Sequence, residues 1–260
     1  SDYYRGTCWY YKKLGKIKKE EDEVIYLEFE GVHSIADVYF NDKLLTHHEG
    51  GFSTFRCRID ENLNDENIIK VKVDNSPNDR IYPQWADFTF FGGIYRDVNL
   101  IRTNITHFDL DYHGSRGIKV TPKLNKKKWE VEVETYLVNG KGSKLIYTLK
   151  DNAGETLFVG YSDSPEFKFE IENPHLWNGV KDPYTYSIDV KLVRDDLELD
   201  NVSVTFGLRT FKIDPEKGFF LNGESYPLRG VSRHQDRLDK GWAISKKDHK
   251  QDIDLIKEVG

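Results

Sequence analysis

What most constrains the fold of this chain is a set of short runs in which apolar residues recur at every second position. Ile25, Leu27 and Phe29 form one run, Ala36, Val38 and Phe40 a second, and Ile69, Val71 and Val73 a third. Successive side chains on a strand point to opposite faces, so each run predicts a strand buried on one face. Turn signals lie between them: Asn41-Asp42-Lys43, Gly50-Gly51 and the polar stretch from Asp60 to Asn67. No helical period interrupts the region, and short strands at this spacing argue for an all-β sandwich or jelly roll. Phe55, Cys57 and Ile59 alternate in the same way, which directs Cys57 into a core as a small hydrophobe. A Cys8–Cys57 disulfide stays open, since two cysteines do not make a disulfide framework.

Asn75 to Asp79 breaks the pattern and starts a loop that runs to Gly93. It carries Trp85, Phe88, Phe90 and Phe91 beside the carboxylate of Asp87, an unusual composition for a passive connector. These rings suit either a sugar face or an interface with a further domain, the interface being the favoured reading. Ile94 to Ile101 reads as the last strand of a first domain.

A second set of alternations begins near Thr103. Trp129, Val131, Val133, Thr135 and Leu137 share one strand face, with Glu130, Glu132 and Glu134 on the other. Asn139-Gly140-Lys141-Gly142 reads as a hairpin turn. Runs at 145–149, 167–171, 184–192 and 202–206 follow, roughly seven strands over about 100 residues, the immunoglobulin-like pattern. Asn104-Ile105-Thr106 fits a glycosylation sequon, a motif common by chance.

The last stretch, Tyr226 to Gly260, changes character. Leu228 to Val231 predicts a short strand, followed by a polar loop bearing Arg233, His234 and Asp236. Ser245 and Asp248 have the spacing of a capping box, and Ile253, Ile256 and Val259 then repeat at helical steps. Together these predict a strand, a functional loop and a helix over 245–259.

Bulk properties exclude some functions. The net charge is −6 with both signs mixed, which argues against nucleic acid as partner. No apolar run approaches the roughly 20 residues needed to span a bilayer. Aromatic residues, at 13%, favour β structure and ring-stacking ligands. Mixed charge and few cysteines give a cytoplasmic location as the expectation. The chain contains no Met, so it reads as an excised piece of something longer.

Five segments in order carry a family resemblance. They are Gly31-Val32 with Ala36 to Asn41; His48-Glu49-Gly50-Gly51-Phe52; Gly92 to Val98; Asn173 to Trp177 with Pro183-Tyr184; and Phe206 to Arg209 leading into Leu221-Asn222-Gly223 and Arg229 to His234. The whole chain resembles the amino-terminal part of family-2 glycoside hydrolases, most of all the β-galactosidases. The resemblance implies a mainly β chain. Residues 1–102 would be a jelly-roll β-sandwich of galactose-binding type and 103–210 an immunoglobulin-like β-sandwich. Residues 211–260 would be the first βα unit of a truncated (β/α)8 barrel. It also implies that Asp87 and His234 contact the sugar, with Asp236 on the same loop, and that Asp87 can hold Na+. The Mg2+ ligands and both catalytic glutamates would lie in the missing barrel. Retaining hydrolysis of a β-galactoside needs two carboxyl groups about 5–5.5 Å apart, so this chain would contribute peripheral contacts and be inactive alone. A homo-oligomer is compatible with the same resemblance. A β-glucuronidase-like parent and a free-standing carbohydrate-binding module are the alternatives. The local reading of Asp87 is a turn cap or a partner of Arg80 or Arg96; that of His234 and Asp236 is a solvated turn.

Overall fold

The computed structural model describes residues 3–260. The chain divides into two compact units, Ser1–Arg102 with Ser232–Gly260, and Thr103–Val231. The architecture is mainly β, several sheets packed as sandwiches, with one α-helix among the described residues, near the C-terminus.

The first unit contains β1 (Thr7–Gly15), β2 (Glu23–Phe29), β3 (Val32–His33), β4 (Ile35–Phe40), β5 (Lys43–Glu49), β6 (Phe55–Arg58), β7 (Asn67–Asp74), β8 (Gly93–Ile94) and β9 (Val98–Asn104). They form the sheets β1-β7-β4-β5 and β6-β2-β9 and the short pair β3-β8. The predicted alternations are the inward faces: Ile25, Leu27, Phe29, Val38, Phe40, Cys57, Val71 and Val73 are buried in one core. Burying such side chains supplies about 25 cal/mol per Å² of apolar surface, the main drive for closing the sheets. Cys8 is exposed on β1 while Cys57 lies in the core, and the two are not joined as a disulfide.

The second unit contains β10 (His107–Phe108), β11 (Ile118–Asn125), β12 (Lys128–Thr135), β13 (Leu137–Val138), β14 (Lys144–Lys150), β15 (Thr156–Ser162), β16 (Glu166–Ile171), β17 (Tyr186–Arg194), β18 (Leu197–Phe206), β19 (Phe211–Asp214), β20 (Gly218–Leu221) and β21 (Glu224–Ser225). The sheets β15-β14-β17-β18 and β11-β12-β16 enclose Trp129, Val131, Val133, Leu145, Tyr147, Ile188 and Leu192. The pair β10-β13 and the meander β19-β20-β21 complete the unit.

Three local expectations are corrected. The turn at 139–142 is not a hairpin: β13 pairs with β10, whereas β14 pairs with β15 and β17, so the chain changes sheets there. Ile94 to Ile101 is not one strand, because residues 95–97 separate β8 from β9. Leu228 to Val231 forms no strand, and Leu228 and Val231 are exposed. A strand exists only as part of a ladder, and no described strand pairs with these residues. The helix α1 (Lys246–Glu258) does form, with Ser245 as N-cap and a reciprocal capping box to Asp248. It is not long and apolar enough to cross a membrane.

Candidate functional site

Within the first unit, the deepest contact of the segment 232–260 with the sandwich is one side chain, Trp242, which is buried. Its indole sits in a socket built from four places in the early sequence. His33 at the end of β3 meets it edge-on at 4.9 Å between ring centroids, and Tyr95 does so at 5.5 Å. Phe52 lies at 5.6 Å, Phe88 at 5.9 Å and Phe91 at 6.1 Å. Edge-to-face and tilted pairs at such distances are worth about 0.5–1.5 kcal/mol each beyond the area they bury. Arg96 Nη1 donates to the Trp242 carbonyl oxygen at 3.3 Å while its guanidinium lies over the Tyr95 ring. The interruption at 95–97 is thereby explained: Tyr95 and Arg96 leave the sheet to hold Trp242.

Local sequence chemistry builds the socket. The Tyr95 hydroxyl donates to the Gly51 carbonyl at 2.6 Å. A Cβ on Gly51 would lie 2.1 Å from His33 Cδ2, so only glycine fits there. Gly241 has φ +53°, which turns the chain immediately before Trp242. The loop after β7 is drawn back by Asn75, whose Nδ2 donates to the Phe90 carbonyl at 3.0 Å while its Oδ1 accepts from Gly6 N.

Burial pushes the His33 imidazole down to about 4, opposed by a hydrogen bond to the Phe91 backbone and reinforced by the Arg5 charge. Burial also raises the Tyr95 phenol and lowers His48, whose ring stacks on Phe55. A neutral, aromatic interior is what these directions describe.

At the rim of the socket stand the residues expected to touch a ligand. Asp87, on the loop after β7, is largely exposed, and its Oδ1 lies 3.7 Å from His234 Nε2. The Phe88 ring meets His234 edge-on at 6.4 Å. Two parts of the chain almost 150 residues apart in sequence thus present a carboxylate and an imidazole together. Asp236 is half-buried on the same loop and makes no ion pair with either. Neither arginine considered as a partner of Asp87 engages it: Arg80 pairs with Glu49, and Arg96 holds Trp242.

The His234 loop is fixed by α1. Arg233 and Arg237 both reach the Asp252 carboxylate, and Lys240 Nζ lies 2.9 Å from Asp248. The Ser245 amide, the Lys240 ammonium and the Ser245 hydroxyl together hold the Asp248 carboxyl well below the usual carboxylate range.

A hard cation takes several oxygen ligands. Among the described residues no cluster of three or more His, Cys, Asp or Glu side chains assembles, and the neighbour of Asp87 is a nitrogen. The side chains of this chain alone therefore do not fit a sodium cage. A cavity of about 510 Å³ lies beside the socket, bordered by Arg5, His33, Arg80, Trp85 and Phe90. Sequence reasoning missed His33 and the socket role of Trp242. The only signal for His33 was its position within Gly31 to Asn41.

Comparison with known proteins bears on the family of the chain. Residues 2–113 match the family model described as glycosyl hydrolase 2 galactose-binding domain-like, and residues 116–209 match that of glycosyl hydrolases family 2. The chain belongs to the family-2 glycoside hydrolases, as an amino-terminal region of such an enzyme. It is 36% identical, over all of its length, to a β-glucuronidase from Bacteroides fragilis, and 32% identical over 99% to a β-galactosidase from Thermoanaerobacter pseudethanolicus. It spans 39% and 36% of the lengths of these two curated relatives. Among solved structures, an FMN-binding β-glucuronidase from Facaelibacterium prausnitzii L2-6 superposes with TM-score 0.91 at 36% identity, over 100% of this chain and 41% of that one.

Proposed function

We propose that this chain is the non-catalytic amino-terminal portion of a retaining glycosidase that acts on β-glucuronides, and that Asp87 and His234 help to hold the sugar. The observation that carries the reading is the 3.7 Å approach of Asp87 to His234 at an exposed rim. A carboxylate accepts from sugar hydroxyls and an imidazole can donate or accept, so the two together suit a polyhydroxylated ring. The β-galactoside expected from sequence motifs yields to a glucuronide because the β-glucuronidase relative is the more similar of the two, over the entire chain. Asp236 is assigned a supporting place on the same loop. In this reading residues 1–102 are the jelly-roll domain, 103–210 the immunoglobulin-like domain and 211–260 the opening of a (β/α)8 barrel. Such a barrel would supply strand neighbours for 228–231 and cover the exposed Ile253, Leu255 and Val259.

The test uses the full-length enzyme with nitrophenyl glycosides. Hydrolysis of the β-glucuronide should exceed that of the β-galactoside, and Asp87→Ala should lower kcat/KM by about tenfold or more, roughly 1.4 kcal/mol of transition-state binding. A preference for the galactoside overturns the substrate class. Kinetics of the Asp87→Ala enzyme within about twofold of wild type overturn the role of Asp87.

A further inference from the structure

The outer face of the sheet β1-β7-β4-β5 carries a second feature, one that takes no part in the Trp242 socket. Strand register aligns it in two rungs. Trp9, Lys72, Asp37 and His47 lie opposite one another across the four strands, and Tyr11, Lys70, Tyr39 and Leu44 form the next rung. Trp9 and Tyr11 have ring centroids 6.3 Å apart and planes inclined by 26°, and Tyr39 adds a third ring 5.8 Å from Trp9. Tyr11 is 66% exposed and Trp9 46%. The charges beside them are already engaged: Asp37 with His47 at 2.6 Å and with Lys72 at 3.7 Å, and Lys70 with Asp42. The rings are therefore left as an open strip bordered by fixed polar groups.

A solvent-facing sheet surface is ordinarily polar, so three large rings in contact there need a reason. A protein partner fits poorly, because interface cores are depleted in Lys and Asp, which run through the middle of this patch. A sugar ring fits both halves of it, with apolar C–H faces for the aromatics and hydroxyls for the ion-paired border. Because those charges are neutralised among themselves, the complementary ligand is uncharged. We propose that this face, in the region matched by the galactose-binding-like model, is a binding platform for a neutral oligosaccharide chain. The inference is independent of the glycoside hydrolysed, since Asp87 and His234 lie on loops and not on this sheet.

Affinity electrophoresis and calorimetry of the 260-residue chain against soluble galactan, xyloglucan, mannan and mixed-linkage glucan test the proposal. At least one polysaccharide should retard the chain. Trp9→Ala and Tyr11→Ser should each weaken that binding about tenfold, with circular dichroism and Tm showing a retained fold. Tyr161→Ala, which removes a similarly exposed ring on β15, should bind as wild type. No retardation by any of the four polymers overturns the proposal. So does binding that survives both variants, or binding lost equally with Tyr161→Ala. A wild-type dimer that Trp9→Ala converts to monomer, without glycan binding, assigns the face to self-association and overturns it too.

Discussion

Trp242→Ala should release the segment 232–260 from the first unit while leaving the sandwich folded. An aromatic side chain of this size buries about 200 Å², which at about 25 cal/mol per Å² is about 5 kcal/mol. Compact unfolded states already bury part of that area, which brings the figure to about 3–4 kcal/mol, within the range for large aromatic truncations in cores. The loss falls on the segment because α1 has 13 residues and a helix of that length is marginal in water by itself. Its ion pairs to Arg233, Arg237 and Lys240 tie it to its own loop, and the main anchor of that loop in the sandwich is Trp242 with the Arg96 bond to its carbonyl, the exposed Asp87–His234 pair adding little. Hydrogen exchange read by mass spectrometry is the assay. Amides of 246–258 should exchange about a hundredfold faster in the variant, the equivalent of about 3 kcal/mol in opening free energy. Those of β2 and β7 should change little. Unchanged protection of the helix, or equal loss throughout the sandwich, would refute the idea that one indole docks the segment.

Three further outcomes concern the same region. His33 is neutral in the fold with its imidazole at about 4 against 6.5 when free, so below pH 6.5 the unfolded chain binds the extra proton. Stability is therefore full above about 6.5 and falls as pH drops toward 4, by about 3 kcal/mol in all; urea midpoints of His33→Asn should lack most of that slope. Ser245→Ala should cost about 1 kcal/mol by removing the cap, seen as faster exchange in the first turn of α1. Since the Asp248 carboxyl is held down, its contribution is present above the ordinary carboxylate range, and protection of the helix should drop as pH falls below about 4.

The strands that could be read from the sequence were those with one face in a core and one outside. β2, β4, β7, β12, β14 and β17 all showed the period of two and lie inside a sheet; the edge strands β6, β16 and β18 showed it too, because each turns a row of side chains into a core. β1, β5, β11 and β15 escaped, and each is an edge strand. These four are exposed along much of both faces, so the contrast that makes the period visible is weak; β1 runs Trp9-Tyr10-Tyr11 with all three rings accessible. The helix was legible because its cap and its apolar stripe are local. The strand at 228–231 was misread because apolar composition says nothing about whether a neighbour is present to pair. For the candidate site, Asp87 and His234 were found separately through motifs. That they meet depends on Trp242 entering a socket whose walls come from 33, 52, 88–91 and 95, and no window of sequence contains that information.

The first unit is discontinuous, and this has a consequence for the order of events during synthesis. About 140 residues separate the end of the first stretch from Trp242, so at roughly 5–20 residues per second the socket waits about 7–30 s for its indole. During that interval the sandwich core can close, but Phe52, Phe88, Phe91 and Tyr95 face an unfilled hollow beside His33. Each nascent chain therefore passes through a state with a ready-made aromatic cleft, open to whatever apolar segment arrives first. The fold is completed by its own late-made tryptophan only if nothing else has taken the place.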